Sequence, residues 1–151
     1  MVRFSSEDRI YGCCAATIVA AALLATFGCN TKEPTYPVTG KVVYKDDGKP
    51  AAAGVMVMFE STKEPYQRAM GAIQPDGTFT LSTDRPDNGA MQGKHRVAII
   101  PTAADGSGMS REAQLSKQID RKYFELRTSG LEYDIKPTGK NEFVIEVEKP
   151  K

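Results

Sequence analysis

A single histidine bounds the chemistry open to this chain. A zinc peptidase centre takes two histidines and a glutamate, and His95 has no histidine partner. A Ser-His-Asp triad would need His95 as its base, yet the neighbouring Asp84 and Asp87 sit in a turn-like stretch and no Gly-x-Ser-x-Gly elbow occurs. Met56, Met58, Met70 and Met91 carry thioethers, soft enough for copper. Three of them fall in apolar strand-like runs or at their edge, where methionine more often fills gaps in a core. The acidic stretches Asp46-Asp47-Gly48, Asp76-Gly77 and Asp84 to Gly89 offer oxygen ligands, but none has the Asp-x-Asp-x-Asp-Gly spacing of a calcium loop. Asp and Asn before Gly are the residues that β-turns select in any case. No Gly-rich phosphate loop follows a strand and opens a helix. These residues call for no enzyme, no catalytic residue, no metal and no cofactor.

Thiol chemistry points elsewhere. The three cysteines are Cys13, Cys14 and Cys29. Cys13 to Ala25 is an uncharged apolar run of 13 residues. A spanning helix needs roughly 20 residues, so this length suits the core of a signal peptide instead. Arg3 and Arg9 precede it, offset by Glu7 and Asp8. The run leads into Leu24-Ala25-Thr26-Phe27-Gly28-Cys29, which resembles the bacterial lipobox. Gly28 and Cys29 fit that pattern, whereas Thr26 and Phe27 depart from its usual residues. The resemblance implies that residues 1–28 are a cleaved signal. Cys29 then becomes the new N-terminus and carries a diacylglycerol, as in palmitate-bearing lipoproteins. Cleavage there would leave one cysteine, so no internal disulfide can form, and lipidation would consume a thiol that is otherwise a liability outside the cytoplasm. An unlipidated signal-anchor or an ordinary secreted protein is the alternative. Residues 29–37, with Pro34 and Pro37, read as the lipidated cysteine and a short extended tether.

The rest of the chain must be one domain, since 151 residues with 40% hydrophobic and 26% charged residues suffice for a single core. The net charge is +1 with both signs interspersed, so a nucleic-acid partner has no basic stripe to bind. Short strands recur between turn signals. Val38 to Tyr44 places Val38, Val42 and Tyr44 on one face. Val55 to Phe59 is apolar on both faces, as an interior strand is. Met70 to Ile73 and Thr78 to Ser82 follow, the latter with Phe79 and Leu81 alternating with hydroxyl residues. Gly93 to Ile100 puts His95, Val97 and Ile99 on one face, and Leu131 to Ile135 and Glu142 to Val147 close the chain. About seven strands at this spacing predict an all-β, Greek-key β-sandwich over residues 38–148.

The run Val38-x-Gly40-x-Val42, Gly48-Lys49-Pro50 and Gly54-Val55-x-Val57-x-Phe59 resembles the opening of carboxypeptidase regulatory-like domains, which are transthyretin-like sandwiches. Pro75-Asp76-Gly77-x-Phe79-x-Leu81 and Gly93-x-His95-x-Val97 continue the likeness. Together with Lys122-Tyr123 and Thr128-Ser129-Gly130-Leu131, the set also resembles small lipoproteins common in planctomycetes. The resemblance covers roughly residues 36–148 and implies a fold rather than a reaction. It places His95 at a core-edge position where the family has an aromatic residue.

The function expected is therefore a non-enzymatic cell-envelope protein, lipid-anchored to a membrane through Cys29 and facing outside the cytoplasm. It would act as a structural or protein-interaction module. The alternative is a module of the envelope that binds a small glycan or peptide. No ligand-binding residue is assigned. Residues 102–118 form the longest irregular stretch, with one possible helical turn from Ser110 to Leu115. Loops of that length are uncommon unless functional or disordered. A mobile loop is the plainer reading, and a partner contact through Met109 and Arg111 is the other. Shortening 104–116 is expected to leave the fold intact.

Overall fold

In a computed structural model of the chain, the structure describes residues 32–101 and 110–151. Among these residues nine strands and two short helical segments follow in order. The strands are β1 (Thr35–Tyr36), β2 (Val38–Tyr44), β3 (Met56–Ser61), β4 (Arg68–Ala72), β5 (Thr78–Thr80), β6 (Ala90–Met91), β7 (Gly93–Ile100), β8 (Leu131–Ile135) and β9 (Asn141–Val147). Between β7 and β8 lie helix α1 (Arg111–Leu115) and a 3-10 turn over Arg121–Phe124. The strands form sheets ordered β5-β2-β9 and β4-β3-β7-β8, with β1 and β6 as a separate pair. Seven strands longer than two residues make the all-β sandwich expected. Strands adjacent in a sheet but remote in the chain, β3 beside β7 and β2 beside β9, mark Greek-key crossovers.

Alternation explains which side chains meet. Val57 and Phe59 of β3, Val97 and Ile99 of β7, and Val38 and Val42 of β2 are all fully buried on the faces that oppose one another. Phe59 joins the two layers. Its ring centre lies 6.1 Å from that of Phe79 on β5 and 6.2 Å from that of Phe143 on β9, both in the opposing sheet. On its own sheet's side it meets Tyr133 at 5.9 Å and His95 at 6.4 Å. β3 is interior, flanked by β4 and β7, as its two-sided apolarity requires.

The turns follow their residue chemistry. The Asp76 Oδ1 accepts hydrogen bonds from both the backbone N–H and the hydroxyl of Thr78. Gly77 then takes φ 81°, where a side chain would be strained and would press on the Val42 carbonyl. This turn delivers Phe79 to the core, 2% exposed, between the outward Thr78 and Thr80.

The structure departs from the sequence reading in two places here, and adds one pairing that the reading did not address. Thr35–Tyr36, inside the stretch expected as tether, already pairs with Ala90–Met91, so the β structure begins before Val38. β2 and β9 run parallel over seven paired positions, Val38 opposite Asn141 through Tyr44 opposite Val147. From Ser110 onward the stretch after Ile100 is packed against the domain. Ser110 caps α1 by accepting from the Ala113 N–H, and Leu115 and Ile119 are 1% and 0% exposed in the main core with Tyr123 beside them. The expectation that 104–116 can be shortened with the fold intact did not reckon with Leu115, a core side chain inside that stretch whose removal uncovers apolar surface.

Candidate functional site

Cys29, the signal over 1–28 and the first residues of the tether lie outside the described residues, as does Met109 of the proposed contact loop. Arg111 lies at the start of α1, with its Nη1 3.4 Å from Gln114 Oε1.

His95 sits on the inward face of β7, opposite Tyr133 of β8. It is 1% exposed, so it stands inside the core and not at its edge. Its Nδ1 is 2.9 Å from the Gly93 carbonyl oxygen. A carbonyl only accepts, which assigns the proton to Nδ1. Burial among rings pushes its pKa below the ordinary 6.5, partly offset by that hydrogen bond and by the Asp134 carboxylate. A buried neutral imidazole of this kind is a packing element with one satisfied donor. The folded form thus resists a proton that the unfolded chain accepts near pH 6.5. Stability supplied by neutral His95 is present above 6.5 and is lost as pH falls through the lower folded value. Asp47, Asp76, Asp134 and Glu148 also have lowered pKa values, but their stabilisation is lost only as pH falls below their ordinary 3.8 to 4.5. Urea midpoints measured from about pH 7 to 5 should therefore decline in the wild type and flatten in His95→Phe. An identical slope in both proteins would remove His95 as the cause.

The acidic stretches are occupied by their own turns. Asp47 Oδ1 accepts from the Lys49 N–H, and Asp84 Oδ1 accepts from the Asn88 amide. Among the described residues no three His, Cys, Asp or Glu side chains gather as a metal group would. Of the methionines, Met58 on β3 lies opposite Met70 on β4, but Met58 is 9% exposed and Met70 39%.

Two of the surface hollows among the described residues bear on a ligand. One, of about 470 Å³, lies where the edges of the two sheets meet. There the Met70 and Ser82 backbones exchange two hydrogen bonds of 2.8 Å. Gln74, Thr78, Thr80 and Ser82 line it together with Met56 and Met70. The other, of about 370 Å³, lies at the end of the domain where the chain enters, lined by Glu33, Lys63, Glu64, Met91, Asp134 and Lys136. Lys136 bonds Asp134 and holds that carboxyl below its ordinary value. Sequence reasoning found neither hollow, because each depends on how separate segments meet in the folded chain.

No protein-family model matches this chain, and no curated protein does. Among solved structures, a DUF3823 family protein from Parabacteroides merdae ATCC 43184 aligns over 78% of this chain, with 14% identity and a TM-score of 0.42. The aligned region spans 48% of that protein, about half its length.

Proposed function

We propose that this chain is a non-enzymatic, lipid-anchored module of the cell envelope, tied to a membrane through Cys29 and facing outside the cytoplasm. Its sandwich is of the carboxypeptidase regulatory-like kind. One observation carries the proposal: an apolar run of signal-core length, Cys13 to Ala25, leads into Gly28-Cys29, and only five residues separate that cysteine from the first strand at Thr35. The kind of domain is supported by the residues that carry the resemblance. Val57, Phe59, Phe79 and Leu81 are core side chains, and Gly54 and Gly77 take positive φ at bends. A structural or interaction role is supported by where the polar chemistry goes, since His95 and the turn aspartates serve the fold itself.

A second reading, a glycan- or peptide-binding module, is favoured by the hollow between β4 and β5. Its hydroxyl and amide groups beside two methionines suit a polar ligand with an apolar face. A glycan array would bring out a saturable ligand if that reading holds.

The anchor is tested by Cys29→Ser. In a bacterial host fed a labelled fatty acid, the wild type should carry the label, shorten to its mature form and enter the detergent phase. Cys29→Ser should do none of these. A wild type that stays in the aqueous phase without label would sink the proposal.

A further inference from the structure

The end of the sandwich where the chain enters carries an unusual side chain. Tyr66 lies in the connection from β3 to β4 and is 56% exposed, one of three large apolar side chains so exposed among the described residues. Its backbone is left-handed, with φ 49°, a conformation that side-chain-bearing residues adopt at a cost. Such strain persists only where the surroundings enforce it. Here they do. The Tyr66 N–H donates to the Lys63 carbonyl, the Ser61 N–H donates to the Gln67 carbonyl, and both the N–H and the hydroxyl of Thr62 donate to the Lys94 carbonyl of β7. The connection is a held loop that presents a phenol ring to the outside, with Lys63 exposed beside it.

The reach of the chain fixes what lies opposite. Lys63 and Glu64 line the same hollow as Glu33. If Cys29 bears the lipid, four residue steps separate it from Glu33, which spans at most about 14 Å of extended chain. The headgroup layer of a leaflet is itself about 5–8 Å deep. The far end of β2, seven residues long, stands roughly 20 Å further away along the strand. The entry end must therefore stay within a short distance of the headgroups.

We propose that this end docks on the lipid surface, with Tyr66 lodged among the headgroups and Lys63 extending toward their phosphates. The inference rests on the lipid-anchored reading above. Tyrosine suits that boundary, since its ring is apolar and its hydroxyl stays wet. Lysine buries its stem and keeps its ammonium in the polar layer. The opposite end, with the turns at 45–50 and 74–77, then points away from the membrane.

The chain contains no tryptophan, so one introduced indole reports alone. Tyr66→Trp and Lys63→Trp would probe the docking loop, and Gln74→Trp the far end. Each full-length protein, expressed in a lipidating host, would be recovered as the mature form. Acylation and folding would be checked by mass and circular dichroism. The proteins would then be placed in vesicles of phosphatidylcholine and phosphatidylglycerol, with and without brominated acyl chains. The Tyr66→Trp protein should give blue-shifted emission that brominated lipid quenches. Quenching should be weaker in Lys63→Trp and absent in Gln74→Trp. Acylated, vesicle-bound protein with no quenching in either loop variant, or with equal quenching in Gln74→Trp, overturns the docking and leaves the anchor standing. Protein that is never acylated overturns both.

Discussion

Phe59→Ala should lower the free energy of unfolding by about 3–5 kcal/mol, the range for truncating a fully buried aromatic ring. Against a total of about 5–15 kcal/mol for a typical domain, that is enough to leave a substantial unfolded population. The residue is 0% exposed, and its ring is the common neighbour of Phe79, His95, Tyr133 and Phe143. Removing it takes away more than transferred area. It opens a cavity between the sheets whose walls belong to strands pinned by their own ladders, so the site cannot collapse to fill it. Phe59→Leu keeps most of the volume and should cost clearly less. Val144→Ala, at a residue 59% exposed on the outer face of β9, should stay within about 0.5 kcal/mol. Urea titrations followed by far-ultraviolet circular dichroism would compare the three. Equal costs at Phe59 and Val144 would mean that the phase of β3 is wrong.

Gly40→Ala should be destabilising at the upper end of the roughly 1–3 kcal/mol seen for overpacking, although it adds one methyl group. Elsewhere the same change often stabilises by about 0.4–1 kcal/mol by stiffening the unfolded chain, so the expected sign is opposite. The cause is position. Gly40 pairs with Phe79 on one side and Phe143 on the other, in the middle strand of its sheet. The Phe79 ring lies across it. A β-carbon there would stand 2.5 Å from Phe79 Cζ and 2.8 Å from Cε1, and would collide with the Phe143 carbonyl oxygen. Ring and glycine thus fit as a pair, and their variants should not add. In a Phe79→Ala background the extra cost of Gly40→Ala should shrink, leaving the part due to the Phe143 carbonyl. A neutral or stabilising Gly40→Ala would show that the ring does not cover the glycine.

Local patterns made much of this fold legible. Val38–Tyr44, Gly93–Ile100 and Leu131–Ile135 form strands with the bounds that their alternation and flanking turns predict. The Pro75-Asp76-Gly77 turn sets the phase of Phe79 because turn and strand are contiguous. What remained hidden was non-local or isolated. Nothing in Val38–Tyr44 or Asn141–Val147 states that they pair with each other, still less in parallel, since both are short alternating runs that would fit several partners. Leu115 and Ile119 stand singly among polar residues, too few for a periodicity, yet the main core takes in both. His95 could be singled out by counting, whereas its full burial depended on Tyr133 and Phe59 arriving from other strands. The candidate anchor is a matter of contiguous residues, which is why Cys29 could be named from sequence, whereas each surface hollow needed the folded chain.

The parallel pairing of β2 with β9 has a mechanical consequence. β2 begins where the chain enters, and β9 ends at the opposite tip of the domain. Pulling on Lys151 against a fixed Cys29 would load the two strands in opposite directions along their length. The evenly spaced bonds of a parallel ladder would then bear the force together as a shear clamp, not one after another as in an unzipping hairpin. Failure under load would be governed by the rate of breaking all seven paired positions at once, so a domain tethered at one end and gripped at the other would hold its fold under tension.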